Sequence, residues 1–220
     1  DTTDNIILIH ILFKIIKKYQ EDEAKVTFEK FYYWGQILLN DFDDIDQSLE
    51  DESKIFKSIK NQKEIEENFK FLDKENYDSI KSFWIKFFPK MTINQKNFHN
   101  TWKILLKVYK DFKNELFNKG IGYKGLVYKD FSKNLNKRIF QNKDDEYLFV
   151  GFSMLSNAEK NIIKFFISEF SSMAFWDFDK YYFNDYKQEA GDSFREFKKD
   201  KILHSTFPKS FPNNFSTVNK

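Results

Sequence analysis

Cysteine is absent from the 220 residues, and glycine and proline are scarce, with six and three residues. Without cysteine the chain forms no disulfide, no thiol nucleophile and no cysteine-ligated zinc site, and this absence fits a reducing, cytoplasmic compartment. The scarcity of glycine and proline leaves few turn signals, which favours long helices over a many-stranded sheet. The sequence therefore predicts a mainly helical fold.

A strong excess of charge of one sign is also absent. Thirty-six basic residues stand against thirty-four acidic ones, for a formal net charge of +2. The whole chain thus lacks the positive field of a dedicated nucleic-acid binder, although a local basic patch is still open.

Long hydrophobic runs are absent as well. The apolar run from Ile6 to Phe13 is too short to span a bilayer, and His10 interrupts it. Acidic residues precede the run and no small-residue cleavage site follows, so a signal sequence is disfavoured and we expect no membrane partner. The run continues as a helix buried on most of its circumference. Because the chain opens in such a helix without an initiator methionine, we expect it to be part of a longer protein.

Hydrophobic residues make up 41% of the chain and aromatic residues 20%, enough for a large core. The longest predicted helix runs from about Gln95 to Lys119, with its apolar stripe along one side and Gly120 placed to end it. Further helices are predicted from the same spacing. One of them begins after Thr27. The others cover Ile55 to Ile59, Ile65 to Leu72, Tyr77 to Phe88, Leu126 to Phe140, Ser156 to Phe170 and Asp185 to Leu203.

Two short apolar runs flank one of these helices. Tyr147 to Gly151 is typical of a buried strand, and Ala174 to Phe178 of a second one. Between them, Ser156 and Glu159 have the spacing of a capping box. This order predicts a small βαβ-like unit with parallel strands, whose remaining strands come from elsewhere.

Acidic residues cluster from Asp41 to Glu52, where we predict short helical turns. The spacing fails as a calcium loop, and solvated helix caps are favoured.

Asp177 and Asp179 follow the second predicted strand, where they either cap the next helix or bind a cation; capping is favoured. Ser153 and Ser156 have no identifiable base. The sequence assigns no catalytic residue, no metal ligand and no cofactor in this segment.

Basic residues surround the glycine-rich turn at 120–125 and the helix that follows it. Lys124, Lys129, Lys137 and Arg138 are the candidate nucleic-acid-binding residues, with Lys133 beside them and tyrosines interleaved. Such a mixture contacts phosphates and stacks on bases, but an ordinary solvated helix face is the competing interpretation.

Four strings stand out together: Phe31-Tyr32-Tyr33-Trp34-Gly35-Gln36-Ile37-Leu38-Leu39-Asn40-Asp41-Phe42-Asp43-Asp44-Ile45-Asp46, Tyr147-Leu148-Phe149-Val150-Gly151-Phe152, Phe175-Trp176-Asp177-Phe178-Asp179-Lys180-Tyr181-Tyr182 and Glu189-Ala190-Gly191. They resemble the AddB-like PD-(D/E)XK nuclease proteins, and the similarity extends over nearly the whole chain.

That resemblance implies a helicase-like front region of the UvrD/RecB type (superfamily 1) and a RecB-type nuclease domain far downstream. It divides the chain into a helical insertion similar to helicase subdomain 1B at 1–140, a βαβ-like return to the core at 141–185, and a helix with an extended tail at 186–220. Gly151 and Phe152 stand where an active helicase holds paired acids for magnesium.

The resemblance implies a non-catalytic scaffold or DNA-channel segment of an ATP-dependent exonuclease subunit in double-strand break repair. Its partners would be DNA, the rest of the parent chain and an AddA-like helicase–nuclease subunit. The alternative is a helical protein–protein interaction module without DNA binding. A stand-alone hydrolase using Asp177 and Asp179 is the third hypothesis.

Overall fold

The computed structural model describes residues 3–19, 27–58, 95–136, 140, 145–177 and 179–207, with the side chains of 95–103 left aside. In this part of the chain there are eight helices and one two-stranded parallel sheet, so the mainly helical prediction is confirmed. The chain divides into two compact units, Asp1–Val127 and Tyr128–Lys220.

The first unit is helical in all of its described regular elements. These are α1 (Asn5–Lys17), α2 (Phe28–Ser48), α3 (Glu52–Ser58), α4 (Gln95–Lys119) and the start of α5 (Lys124–Lys133), which continues into the second unit. The predicted helix around Ile55 is present as α3, whereas the predicted helices at 65–72 and 77–88 lie outside the described residues.

Helix α1 is buried on most of its circumference, as its sequence predicts, and it packs against α2 and α4. Its buried residues are Leu8, Ile9, Leu12, Phe13, Ile15 and Ile16. Gly35 allows α2 to approach α1 closely, because a β-carbon there would overlap the side chains of Ile9 and Phe31. This contact explains a glycine in the middle of a helix.

Helix α4 has the predicted bounds and the predicted end. Gly120 has a φ of +64°, its amide donates to the Phe117 carbonyl, and the Ile121 amide donates to the Leu116 carbonyl. This pair of bonds is a Schellman ending, in which a residue with a left-handed conformation closes the last turn. Tyr109, Phe112 and Leu116 are buried as expected.

Helix α2 corrects the prediction for the acidic stretch. The helix runs without a break through 41–46 and ends at Ser48, where the next residue, Leu49, has a φ of 57°. The predicted short turns were wrong because Leu39, Phe42 and Asp46 continue the buried side of α2 at helical spacing. Thr27 precedes the helix, but its side chain makes no capping bond.

Helix α5 is shorter than predicted. It ends at Lys133 instead of continuing to Phe140. Asn134 closes it, since its side-chain amide donates to the carbonyl and the carboxylate of Asp130. Asparagine side chains compete in this way with continued helix formation.

The second unit contains the predicted βαβ arrangement. Its elements are β1 (Leu148–Phe152), α6 (Asn157–Glu169), β2 (Met173–Trp176), α7 (Lys180–Asn184), a 3-10 turn at Glu189–Gly191, α8 (Asp192–Lys199) and a 3-10 turn at Leu203–Thr206. β1 and β2 are parallel. The predicted capping box opens α6: the Glu159 amide donates to Ser156 Oγ at 3.3 Å, and the Ser156 amide donates to the Glu159 carboxylate at 2.9 Å.

The single helix predicted over 185–203 is wrong, because only Asp192–Lys199 is α-helical there. The Arg195 guanidinium lies 8% exposed and donates to four backbone carbonyls and to the Asp192 carboxylate. The four carbonyls belong to Tyr182, Phe183, Asp185 and Gln188. Gly191 sits in this loop, where a β-carbon would overlap the Tyr182 carbonyl. Because these carbonyls accept from the guanidinium, the backbone before α8 forms a compact loop instead of further helical turns.

Candidate functional site

The two strands present one covered and one exposed face. Side chains alternate along a strand, so Phe149 and its partner Ala174 point to the face opposite Val150 and Phe175. Phe149 and Trp176 pack against a buried cluster contributed by α6, α8 and the last 3-10 turn. The cluster consists of Ile163, Phe194, Phe197 and Leu203. One face of the sheet is therefore part of the hydrophobic core of the second unit.

The other face carries four large apolar side chains that are at least half exposed. We call Leu148, Val150, Met173 and Phe175 the open sheet face; their exposed fractions are 59%, 65%, 51% and 51%. The strand pairing sets Leu148 beside Met173 and Val150 beside Phe175, so the four form two adjacent rows. The predicted strands are confirmed, but the prediction that the first is buried is wrong for this face.

A β-bulge interrupts the pairing at the end of β1. Val150 pairs with Phe175 and Phe152 with Trp176, so Gly151 is the extra residue. Its φ is +79°, a conformation that favours glycine. The backbone thus explains the glycine at this position, and Phe152 follows it within the strand.

The predicted basic patch is not brought together by the described residues. Lys124 is exposed at the start of α5, whereas Lys129, five positions later, is only 5% exposed. Lys137 and Arg138 lie outside the described residues. Among the described residues, Lys124 is therefore the predicted site residue that lies exposed on the surface, whereas Lys129 is buried.

Sequence reasoning missed a buried polar network centred on Asp46, which has no exposed surface. Asp46 Oδ1 accepts from the Tyr109 hydroxyl at 2.5 Å and from Lys113 Nζ at 3.1 Å. Asp46 Oδ2 accepts from the Tyr123 hydroxyl. The network joins α2 and α4 to the segment that leads into α5.

Burial and the Asp46 carboxylate both favour the protonated phenols. Burial, followed by the hydrogen bond to Asp46, raises the pKa of Tyr109 above its ordinary value. Burial and the charge of Asp46 raise the pKa of Tyr123 as well. Two neutral donors and the Lys113 ammonium thus surround a carboxylate that no solvent reaches, and we assign this network to packing between the helices.

The solvated-cap interpretation is wrong for Asp46. Its neighbour Asp44 is exposed but lies within α2, whereas Asp51 has the capping role, since its Oδ1 accepts from the Ser53 amide at 2.9 Å at the start of α3. Asp43 has a third environment: its Oδ1 accepts from the Gly125 amide at 2.5 Å, in the first turn of α5. The position of Asp46 in the sequence could have indicated its burial. It lies four residues after Phe42 and seven after Leu39, which places it on the apolar side of α2.

One of the two carboxylates after β2, that of Asp179, has the favoured capping role. Asp179 precedes α7 and its Oδ1 accepts from the Tyr181 amide at 2.6 Å, while Asp177 is exposed. Within the described ranges, no group of three or more histidine, cysteine, aspartate or glutamate side chains is placed to hold a metal ion.

Comparisons of the chain with protein-family models, with curated proteins and with solved structures give no match in any of the three. Among the helices that the structure describes, none has the length and the apolar character needed to cross a bilayer.

Proposed function

We propose that this chain is a non-catalytic scaffold or DNA-channel segment of a helicase-like exonuclease subunit that acts in double-strand break repair. The observation that carries the scaffold part is the open sheet face. Parallel sheets are normally covered on both faces, and exposed apolar patches mark interaction sites. A parallel strand pair with one covered and one exposed apolar face is what a segment of a larger α/β assembly presents.

The link to DNA repair rests on the strings that resemble AddB-like proteins. In this proposal the partners are the rest of a longer chain, an AddA-like helicase–nuclease subunit and DNA, in the cytoplasm. The bulge at Gly151 supports a scaffold role for β1, because glycine and phenylalanine offer no carboxylate to magnesium at the end of the strand.

DNA binding by the proposed segment is tested with the predicted cations that follow α5. Fluorescence anisotropy of labelled single-stranded DNA is measured at several salt concentrations with the unaltered chain and with the double variant Lys137→Glu, Arg138→Glu. We expect binding that weakens with salt, and a loss of at least about tenfold in affinity for the double variant, because each cation neutralises a phosphate.

The matched control is the double variant Lys107→Glu, Lys110→Glu, which makes the same change in net charge at two exposed lysines of α4. We expect it to weaken binding much less. Equal losses for both variants would show an unspecific charge effect and contradict the proposed site. No measurable binding by the unaltered chain would contradict the DNA-channel role.

The second candidate function is a helical protein–protein interaction module without DNA binding. The burial of Lys129 favours it, because one of the four predicted DNA-binding residues has little exposed surface. The anisotropy experiment separates the two candidates, because the interaction module would use the open sheet face and would have no affinity for DNA.

A further inference from the structure

We propose that the open sheet face binds the apolar side of an amphipathic α-helix from another polypeptide segment. This inference rests on the scaffold role proposed above and adds the chemistry of the partner. It concerns the second unit only and makes no use of the predicted basic residues.

The composition of the face selects an apolar partner. Leu148, Val150, Met173 and Phe175 carry no charge and no hydrogen-bonding side-chain group. A nucleic-acid backbone would gain no charge pairing from these residues, whereas an apolar helix face would remove them from water.

The dimensions of the face match one helix. Two neighbouring strands with their side chains span about 10 Å, since strands in a sheet lie about 4.8 Å apart. An α-helix with its side chains is about 10–12 Å across. A single helix laid along the strands therefore covers both rows.

The covered face shows how this sheet accepts helices. Phe149 and Trp176 of the strands pack there against Ile163 of α6 and Phe197 of α8. Trp176 and Phe197 have ring centroids 5.1 Å apart. The open sheet face offers the same kind of side chains at the same strand spacing, so a helix on this side would complete the layering of a parallel sheet.

A second copy of the chain fits less well. The four side chains expose roughly 400 Å² of apolar surface, about half of the 800 Å² that each partner of a stable dimer normally buries. A helix that belongs to a larger partner has further contacts of its own and does not depend on this area alone.

The test uses a fluorescent peptide of about 18 residues, or five helical turns. Its leucines follow helical spacing and its other positions are lysine and glutamate; a second peptide of identical composition has strictly alternating leucines. Binding to the full chain is measured by anisotropy. We expect the helical peptide to bind and the alternating peptide to bind at least about tenfold more weakly.

Two single variants locate the binding. Phe175→Glu places a charge on the open sheet face, and Phe117→Glu makes the same change on α4, where the phenylalanine is also 51% exposed. We expect Phe175→Glu to weaken helical-peptide binding at least about tenfold and Phe117→Glu to leave it unchanged, because only the first adds a charge beneath the helix.

Four results would overturn the inference. Equal binding of both peptides, or equal loss in both variants, would show a generally adhesive surface. A concentration-dependent dimer that Phe175→Glu abolishes would make a second copy the occupant. Absence of helical-peptide binding while salt-dependent DNA binding persists would reject the helix site and leave the proposed DNA role standing.

Discussion

Asp46 combines complete burial with a full negative charge, a combination that is costly unless the charge has partners. The hydroxyls of Tyr109 and Tyr123 and the ammonium of Lys113 supply them. Removing one member of such a group is destabilising because the remaining polar atoms stay buried without their partner. This carboxylate is therefore a strong structural determinant of the first unit.

We predict that Asp46→Asn lowers the free energy of unfolding by about 3 kcal/mol, because the amide cannot offset the Lys113 ammonium or accept as strongly from both phenols. Chemical denaturation followed by circular dichroism measures the change. Asp44→Asn, an exposed site on the same helix, serves as the control, with an expected change within about 0.5 kcal/mol. Similar values for the two variants would refute the structural role of the network.

At the scale of elements, one ion pair joins α6 to α8, and a second joins α6 to Asp200, the residue that follows α8. Lys164 Nζ lies 2.7 Å from the carboxylate of Asp200, and Lys160 Nζ lies 2.7 Å from that of Glu196. Asp200 also accepts from the amides of Ile202 and Leu203. Burial alone would raise the pKa of Asp200, but the bonds from Lys164 and the two amides outweigh it and lower the pKa.

A lowered pKa in the folded state means that Asp200 stabilises the fold above its unfolded pKa of about 3.9, and that this contribution is lost as pH falls through the folded pKa. We predict that Asp200→Asn costs about 0.5–1 kcal/mol near neutral pH, a small value because the pair is partly exposed. Denaturation at several pH values measures the difference from the unaltered chain, which we expect to shrink and disappear as the pH falls through the lowered pKa of Asp200.

The control is Glu196→Gln, which removes the other ion pair between these helices. The Glu196 carboxyl side chain is 65% exposed, against 28% for Asp200, so the expected loss is smaller. A cost for Asp200→Asn that stays constant as the pH falls from neutral into the acid range would contradict the assigned role of the charge.

Elements whose ends depend on local contacts were predictable from the sequence. The Gly120 ending of α4 and the Ser156–Glu159 box of α6 involve residues within a few positions of each other. The continuation of α2 through the acidic stretch was missed because burial of Asp46 depends on tyrosines 63 and 77 positions away. The loop around Arg195 was not predictable, because one long side chain donates to several backbone carbonyls there and no short sequence motif indicates such bonds.

At the scale of the whole molecule, the sequence predicted the parallel strand pair but not its exposed side. An apolar run of five residues has the same pattern whether a helix covers one face or both, so Val150 and Phe149 look equivalent in the sequence. The structure distinguishes them, with Phe149 packed on the core and Val150 65% exposed. Spacing likewise did not reveal that Lys129 is buried, and the nucleic-acid role of the basic residues stays a prediction.

The most direct measurement of the central claim is hydroxyl-radical footprinting of the unaltered chain, read residue by residue by mass spectrometry. We expect rapid modification of Met173 and Phe175 and strong protection of Phe194 and Phe197, because the first pair lies on the open sheet face and the second in the core. Adding the helical peptide should protect the first pair only. If Met173 and Phe175 are already as protected as Phe197 in the chain alone, the open sheet face does not exist and the account fails.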